Sequence, residues 1–155
     1  STRAEITPTR FWNEYEWGDL KADAGKLLAR YFDAHLYVAN WGTRRFMIRL
    51  PAGSVDIARL KPYFRGGRPR LTQSGTFVVL DFWSNDDHDD EDWLEAPGLA
   101  TLIPVRSQLL QGDLRAAYIA WLCKVQDGSL DEDQQESVFK YCLERQKEEL
   151  QRKNK

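Results

Sequence analysis

Residues 31–51 read YFDAHLYVANWGTRRFMIRLP, and the way this stretch pairs with itself decides the fold. Two runs rich in aromatic and β-branched residues flank Asn40, Trp41 and Gly42. A two-residue loop at Trp41 and Gly42 sets Val38 opposite Arg45 and Leu36 opposite Met47, mixing apolar and charged side chains on each face. A three-residue loop, Asn40 to Gly42, sets Leu36 opposite Phe46 and Ala34 opposite Ile48. Its other face then carries Asp33 opposite Arg49, His35 opposite Met47, and Tyr37 opposite Arg45. Only the second register sorts apolar from polar, and Gly42 supplies the left-handed residue that such a loop requires. The reading is an antiparallel hairpin with one face toward a core and Tyr37, Arg45 and Arg49 turned outward, with a partly exposed His35 among them.

The flanking sequence extends the pattern. Upstream, TPTRFWNEYEWGDLKADAGKLLARYF reads as two short helices. The first is capped at Thr7-Pro8, with Phe11, Trp12 and Tyr15 on one face. The second is capped by Asp19 and carries Leu20, Ala24, Leu27, Leu28 and Tyr31 at helical spacing. Downstream, Ser54 caps a short helix over 55–63, which ends in the RGGRPR loop. A second hairpin follows, with a Ser74-Gly75 turn that sets Leu71 opposite Val78 and points Val78, Leu80 and Phe82 inward. Beyond the acidic stretch NDDHDDED, the spacing turns helical. One helix runs over 99–111 and is interrupted or started by Pro104. A second is capped by Asp113 and carries Leu114, Ala117, Tyr118, Trp121, Leu122 and Val125. A third opens on the SLDE capping box and buries Val138, Tyr141 and Cys142.

These elements predict a single α+β domain over 1–155: two antiparallel hairpins forming a small sheet covered on one face by helices, with a C-terminal helical block. Its parts are a helical entry at 1–32, hairpins with an intervening helix at 33–84, an acidic loop at 85–96 and the helical block at 97–155. A chain of 155 residues is long enough to bury a substantial core. Six Trp, six Tyr and seven Phe supply large rings that suit cores and interfaces alike.

Charge and composition narrow the function. The net charge of −2 argues against a dedicated nucleic-acid domain, which carries a basic surplus. Cys123 and Cys142 read as small apolar residues of a reduced, cytoplasmic protein, with Cys123 on the buried side of its helix. No apolar run approaches the ~20 residues of a membrane span, and no stretch reads as a signal peptide. His35 and His88 are the only bases for a Ser or Cys nucleophile, and nothing places either beside one. The acidic run around Asp86 to Asp92 lacks the Gly and closing Glu of a calcium loop, so no metal and no cofactor is expected.

Between residues 41 and 70 the basic residues are Arg44, Arg45, Arg49, Arg59, Lys61, Arg65, Arg68 and Arg70, against Asp56 alone. Guanidinium groups beside Trp41, Tyr63 and Phe64 have the chemistry to grip phosphates while rings stack on bases. The plainer reading is a solvated sheet face, with Asp33 answering Arg49.

At YFDAHLYVANWGTRRFMIRLP, and again at LLQGDLRAAYIAWL (residues 109–122), the chain resembles an uncharacterised bacterial protein family. The resemblance covers about residues 31–122. It implies no activity, cofactor or catalytic residues, and suggests that the domain is the front part of a longer chain. The function expected is a non-enzymatic protein-interaction module or subunit of a bacterial, cytoplasmic complex. Its contact patch would be Tyr37, Trp41, Arg45 and Arg49. The alternative is a nucleic-acid-binding domain using Arg45, Arg49, Arg65, Arg68 and Arg70.

Overall fold

The computed structural model describes residues 2–15, 21–39, 42–85, 98–126, 128 and 132–153. It is an α+β protein built on one six-stranded mixed sheet. The strands are β1 (Thr2–Ile6), β2 (Arg10–Tyr15), β3 (Ala34–Ala39), β4 (Thr43–Pro51), β5 (Arg70–Ser74) and β6 (Phe77–Asn85), in the spatial order β1-β2-β3-β4-β6-β5. The helices are α1 (Ala24–Tyr31), the single turn α2 (Ile57–Leu60), α3 (Leu99–Leu110), α4 (Arg115–Gln126) and α5 (Glu132–Lys153).

The β3–β4 hairpin has the register that side-chain sorting selects: Ala34 opposite Ile48, Leu36 opposite Phe46, and Tyr37 opposite Arg45. Gly42 lies at φ +91°, and its N–H bonds Ala39 O at 3.2 Å. The second hairpin differs from the expected register. Its turn is Gly75-Thr76, with Gly75 at φ +58°, and Leu71 stands opposite Leu80 rather than Val78. A glycine in the left-handed region suits the first position of the turn. The slip is two residues, so every side chain keeps its face, and Val78 and Leu80 are fully buried as expected.

The N-terminal entry is where the structure departs most from expectation. Residues around Phe11 form not a helix but β2, which pairs antiparallel with β1 and parallel with β3. Thr7 and Pro8 open the β1–β2 turn: Thr7 N donates to Arg10 O at 2.8 Å, and Thr7 Oγ1 accepts from Arg10 N at 3.1 Å. Pro8 therefore presets a turn, where its fixed φ is equally at home. α1 is the crossover that parallel neighbours require. Its cap is Asp23, which accepts from Lys26 N at 3.0 Å. The expected cap, Asp19, lies outside the described residues. Likewise Asp56, not Ser54, caps α2, accepting from Arg59 N at 3.2 Å.

Helices cover both faces of the sheet, not one. On the first face α1 sets Ala24 and Leu28 against Phe11, Met47 and Val79. On the second, α3 places Leu99 over Ala34, Leu36 and Val38. There α4 and α5 pack Ala117, Trp121 and Val138 against Ile48, Leu50, Val78 and Leu80. Every residue of β3 is buried in consequence. Gly112 ends α3 at φ +82°, Pro104 lies inside that helix, and Asp113 accepts from Arg115 N at 3.0 Å to start α4. The SLDE box lies outside the described residues except for Glu132, which opens α5. No helix among the described residues is long and apolar enough to cross a membrane.

Candidate functional site

The hairpin residues singled out by the sequence are not a shared open patch. Tyr37 was expected outside but is 7% exposed, since its face is covered rather than solvated. Arg45 forms a two-pronged pair with Asp81, with Nε to Oδ1 at 2.9 Å and Nη2 to Oδ2 at 2.7 Å. Arg49 pairs with Asp33 at 3.0 Å, as its register implies. Its Nη1 donates to Ala29 O at 3.1 Å, and its guanidinium lies 4.4 Å from the Phe77 ring centre. Both arginines are half-buried and fixed by partners, so their charge is spent inside the fold. Trp41 lies outside the described residues.

His35 is likewise buried, at 1% exposure, not partly exposed as its neighbourhood suggested. Its ring stacks on Phe11 with centroids 3.9 Å apart, and its Nδ1 lies 3.3 Å from Phe11 O. Burial lowers its pKa to about 4, with Arg45 adding to the shift and the bond to Phe11 and the charge of Asp81 opposing it. The ring is thus neutral at pH 7, and Nδ1 donates to the carbonyl.

What the structure does bring together lies at the far end of β6. β6 is nine residues long and β5 only five. The β5 ladder stops where Arg70 meets Asp81, with Pro69 immediately before Arg70 in the chain. The chain leaves through Gly66 and Gly67, at φ +84° and +94°, conformations that a side chain would resist. This loop, the end of β6 and the flank of α4 enclose a groove of about 830 Å³ lined by Arg68, Arg70, Trp83, Ser84, Cys123 and Lys124, among others. Among the described residues the lining contains no carboxylate.

Beside it opens a pocket of about 240 Å³, lined largely by Leu36, Val38, Phe46, Phe82 and Leu102. Pro69, Trp83, Ser84, Ala120 and Cys123 border both spaces. Neither is lined by His35.

Trp83 and Lys124 organise the groove. The Arg68 guanidinium lies 4.2 Å from the Trp83 ring centre, a cation–π distance, and Arg45 approaches the same ring at 5.5 Å. The Trp83 indole N–H is buried without a hydrogen-bond partner among the described residues. Lys124, 6% exposed, donates to the carbonyls of Gly66 at 2.8 Å and Arg65 at 3.5 Å. A buried ammonium needs such acceptors, and in exchange it ties the glycine loop to α4. Cys123 is exposed, contrary to its expected place on the buried side of α4.

Of the arginines weighed for nucleic acid, Arg68 and Arg70 line this groove, and Arg65 joins it through its carbonyl. Arg45 and Arg49 are engaged with carboxylates. Sequence reasoning had passed over Lys124, although its spacing from Ala117 and Trp121 sets a lysine on the core side of α4. That misplacement was the available signal.

No family model, curated protein or solved structure matches this chain. The site is accordingly defined by its own geometry. Among the described residues no three His, Cys, Asp or Glu side chains converge as metal ligands. The acidic stretch and His88 lie outside the described residues.

Proposed function

We propose that this protein is a non-enzymatic protein-interaction module whose contact surface is the groove between the end of β6, residues 66–70 and α4. One observation carries the reading. A cavity walled by Arg68, Arg70 and Trp83 opens directly beside an apolar pocket, and the two share a border. Arg and Trp are the residues in which contact energy concentrates, and a pocket at the centre of a polar rim is how an anchor side chain is taken up. The resemblance over residues 31–122 suggests a bacterial source, and the free thiols of Cys123 and Cys142 support a reduced, cytoplasmic setting for the module.

Selection from a random twelve-residue peptide library tests this reading, with the whole chain compared against a variant carrying Trp83→Ala and Arg68→Glu. Peptides that bind the chain and lose the variant support it. A library that yields none sinks it.

The second reading is a single-stranded nucleic-acid grip, favoured by Arg68 lying against the face of Trp83 with Arg70 nearby. The two readings respond differently to salt. A phosphate grip weakens with a log–log slope of roughly −0.7 to −0.9 per phosphate neutralised. Random single-stranded and duplex oligonucleotides, measured at two salt concentrations, are expected not to bind at the lower one. Binding that falls steeply with salt and vanishes on Arg68→Glu with Arg70→Glu would move the function to nucleic acid.

A further inference from the structure

We infer that the groove takes an extended acidic peptide of a partner protein, which adds as a short strand to the overhanging end of β6 and places one bulky apolar side chain in the adjoining pocket. This rests on the groove being the contact surface proposed above.

The backbone of β6 supplies the first argument. Arg49 N donates to Asp33 O at 2.8 Å, so alternate residues of β4, Arg49, Met47 and Arg45, turn their backbone groups toward β3. The intervening ones, Ile48, Phe46 and Arg44, turn toward their β6 partners Leu80, Phe82 and Ser84. Phe77, Val79 and Asp81 therefore face β5, as their pairing with Ser74, Thr72 and Arg70 requires. Trp83 continues that series beyond Arg70, the first residue of β5. Its N–H and C=O point to the side where the ladder has ended, and that side is the groove. An open ladder edge at the bottom of a cleft is the geometry of strand addition.

Charge and pleat supply the second. Arg68 and Arg70 are exposed on the groove, and among the described residues no acidic side chain lines it, so the occupant that complements it is anionic. Successive residues of an added strand point to opposite faces. Phe46, Phe82, Leu36 and Val38, which line the apolar pocket, all belong to one face of the sheet, while Arg70 and Trp83 belong to the other. A strand laid along Trp83 thus offers alternate side chains to the pocket and the rest to the arginines. The pattern that fits is acid–apolar–acid.

The test uses the whole chain and two pools of fluorescein-labelled ten-residue peptides. In one pool Asp or Glu alternates with Leu, Ile, Val or Phe; in the other Lys or Arg replaces the acids. Anisotropy should show micromolar binding of the acidic pool and at least tenfold weaker binding of the basic one. Arg68→Glu with Arg70→Glu should reverse that order. N-methylation of alternate peptide amides removes ladder donors without touching the protein, and in one of its two phases it should abolish binding. In the bound chain, the Trp83 amide should exchange with deuterium at least tenfold more slowly.

Groove-dependent peptides that lack the alternation, or bind equally after N-methylation in both phases, would overturn this inference and leave the interaction module standing. Absence of any groove-dependent peptide would overturn both. Acidic peptides that bind only once Asp86, Asp87, Asp89 and Asp90 are changed to Asn would assign the groove to the chain's own acidic stretch, and would also overturn it. Competition by oligonucleotide alone would transfer the site to nucleic acid.

Discussion

Replacing Trp121 by Ala is expected to remove about 3–5 kcal/mol of stability, the usual cost of emptying a large buried aromatic site. Trp121 is 1% exposed and is the largest fully buried side chain among the described residues. It stands where α4 meets α5, stacked on Tyr118 at 5.8 Å and edge-on to Phe139 at 5.3 Å. Through the same cluster it backs Ile48, Leu50 and Leu80 of the sheet. A cavity there would be walled by α4, α5 and the sheet. A domain stable by 5–15 kcal/mol would lose a large share of its margin. Urea unfolding should show a lowered midpoint with unchanged slope. Trp121→Phe, which keeps a ring for its neighbours to pack on, should cost less than half as much. A loss under 1 kcal/mol for the alanine variant would refute the assignment of Trp121 as the joint between the helices and the sheet.

Acid should weaken the fold through His35. Burial lowers its pKa from 6.5 to about 4 in the folded chain, with Arg45 adding to the shift and the bond to Phe11 and the charge of Asp81 opposing it. Between those two values the unfolded chain binds the proton more readily than the folded one. The stability is therefore complete above the unfolded pKa and is lost as pH falls toward the folded one. A shift of this size corresponds to about 3 kcal/mol. Unfolding free energies measured at intervals from pH 7 to pH 4 should fall by that much more in the natural chain than in His35→Gln. Parallel profiles for the two chains would show that the imidazole is not the group responsible.

The central hairpin was legible because local chemistry overdetermined it. Gly42 could supply the positive φ, and one register alone segregated Leu36 and Phe46 from Tyr37 and Arg45. The same pattern could not say how deeply each face would lie. Amphipathicity distinguishes two sides of a ribbon, but the covering of the side that carries Met47 depends on α1 folding back over it, a contact set by tertiary structure. His35 was misjudged because Phe11 of β2 stacks on it, and both its burial and that of Tyr37 come from neighbours outside the hairpin's own pattern. Phe11, Trp12 and Tyr15 failed differently. Their spacing fits a helical face and a short strand equally well, and the deciding partner, β3, pairs with them only after a crossover. Of the groove, Arg68 and Arg70 could be nominated from the chain, but their meeting with Trp83 and Lys124 depends on a ladder that stops early.

All six strands lie within the first 85 residues, whereas the helices that roof the second face, α3 to α5, begin only at Leu99. During synthesis from the N-terminus the sheet is complete in sequence before that roof has been made. Leu36, Ile48, Leu50, Val78 and Leu80 then lack the cover of Leu99, Ala117, Trp121 and Val138, and only the short segment carrying Leu60, Tyr63 and Phe64 packs on part of them. An unfinished nascent chain of this kind presents a broad greasy plane to its surroundings, which invites chaperone holding or clumping. A fragment stopped at residue 98 should accordingly bind a hydrophobic dye strongly and pellet on centrifugation, while the whole chain does neither.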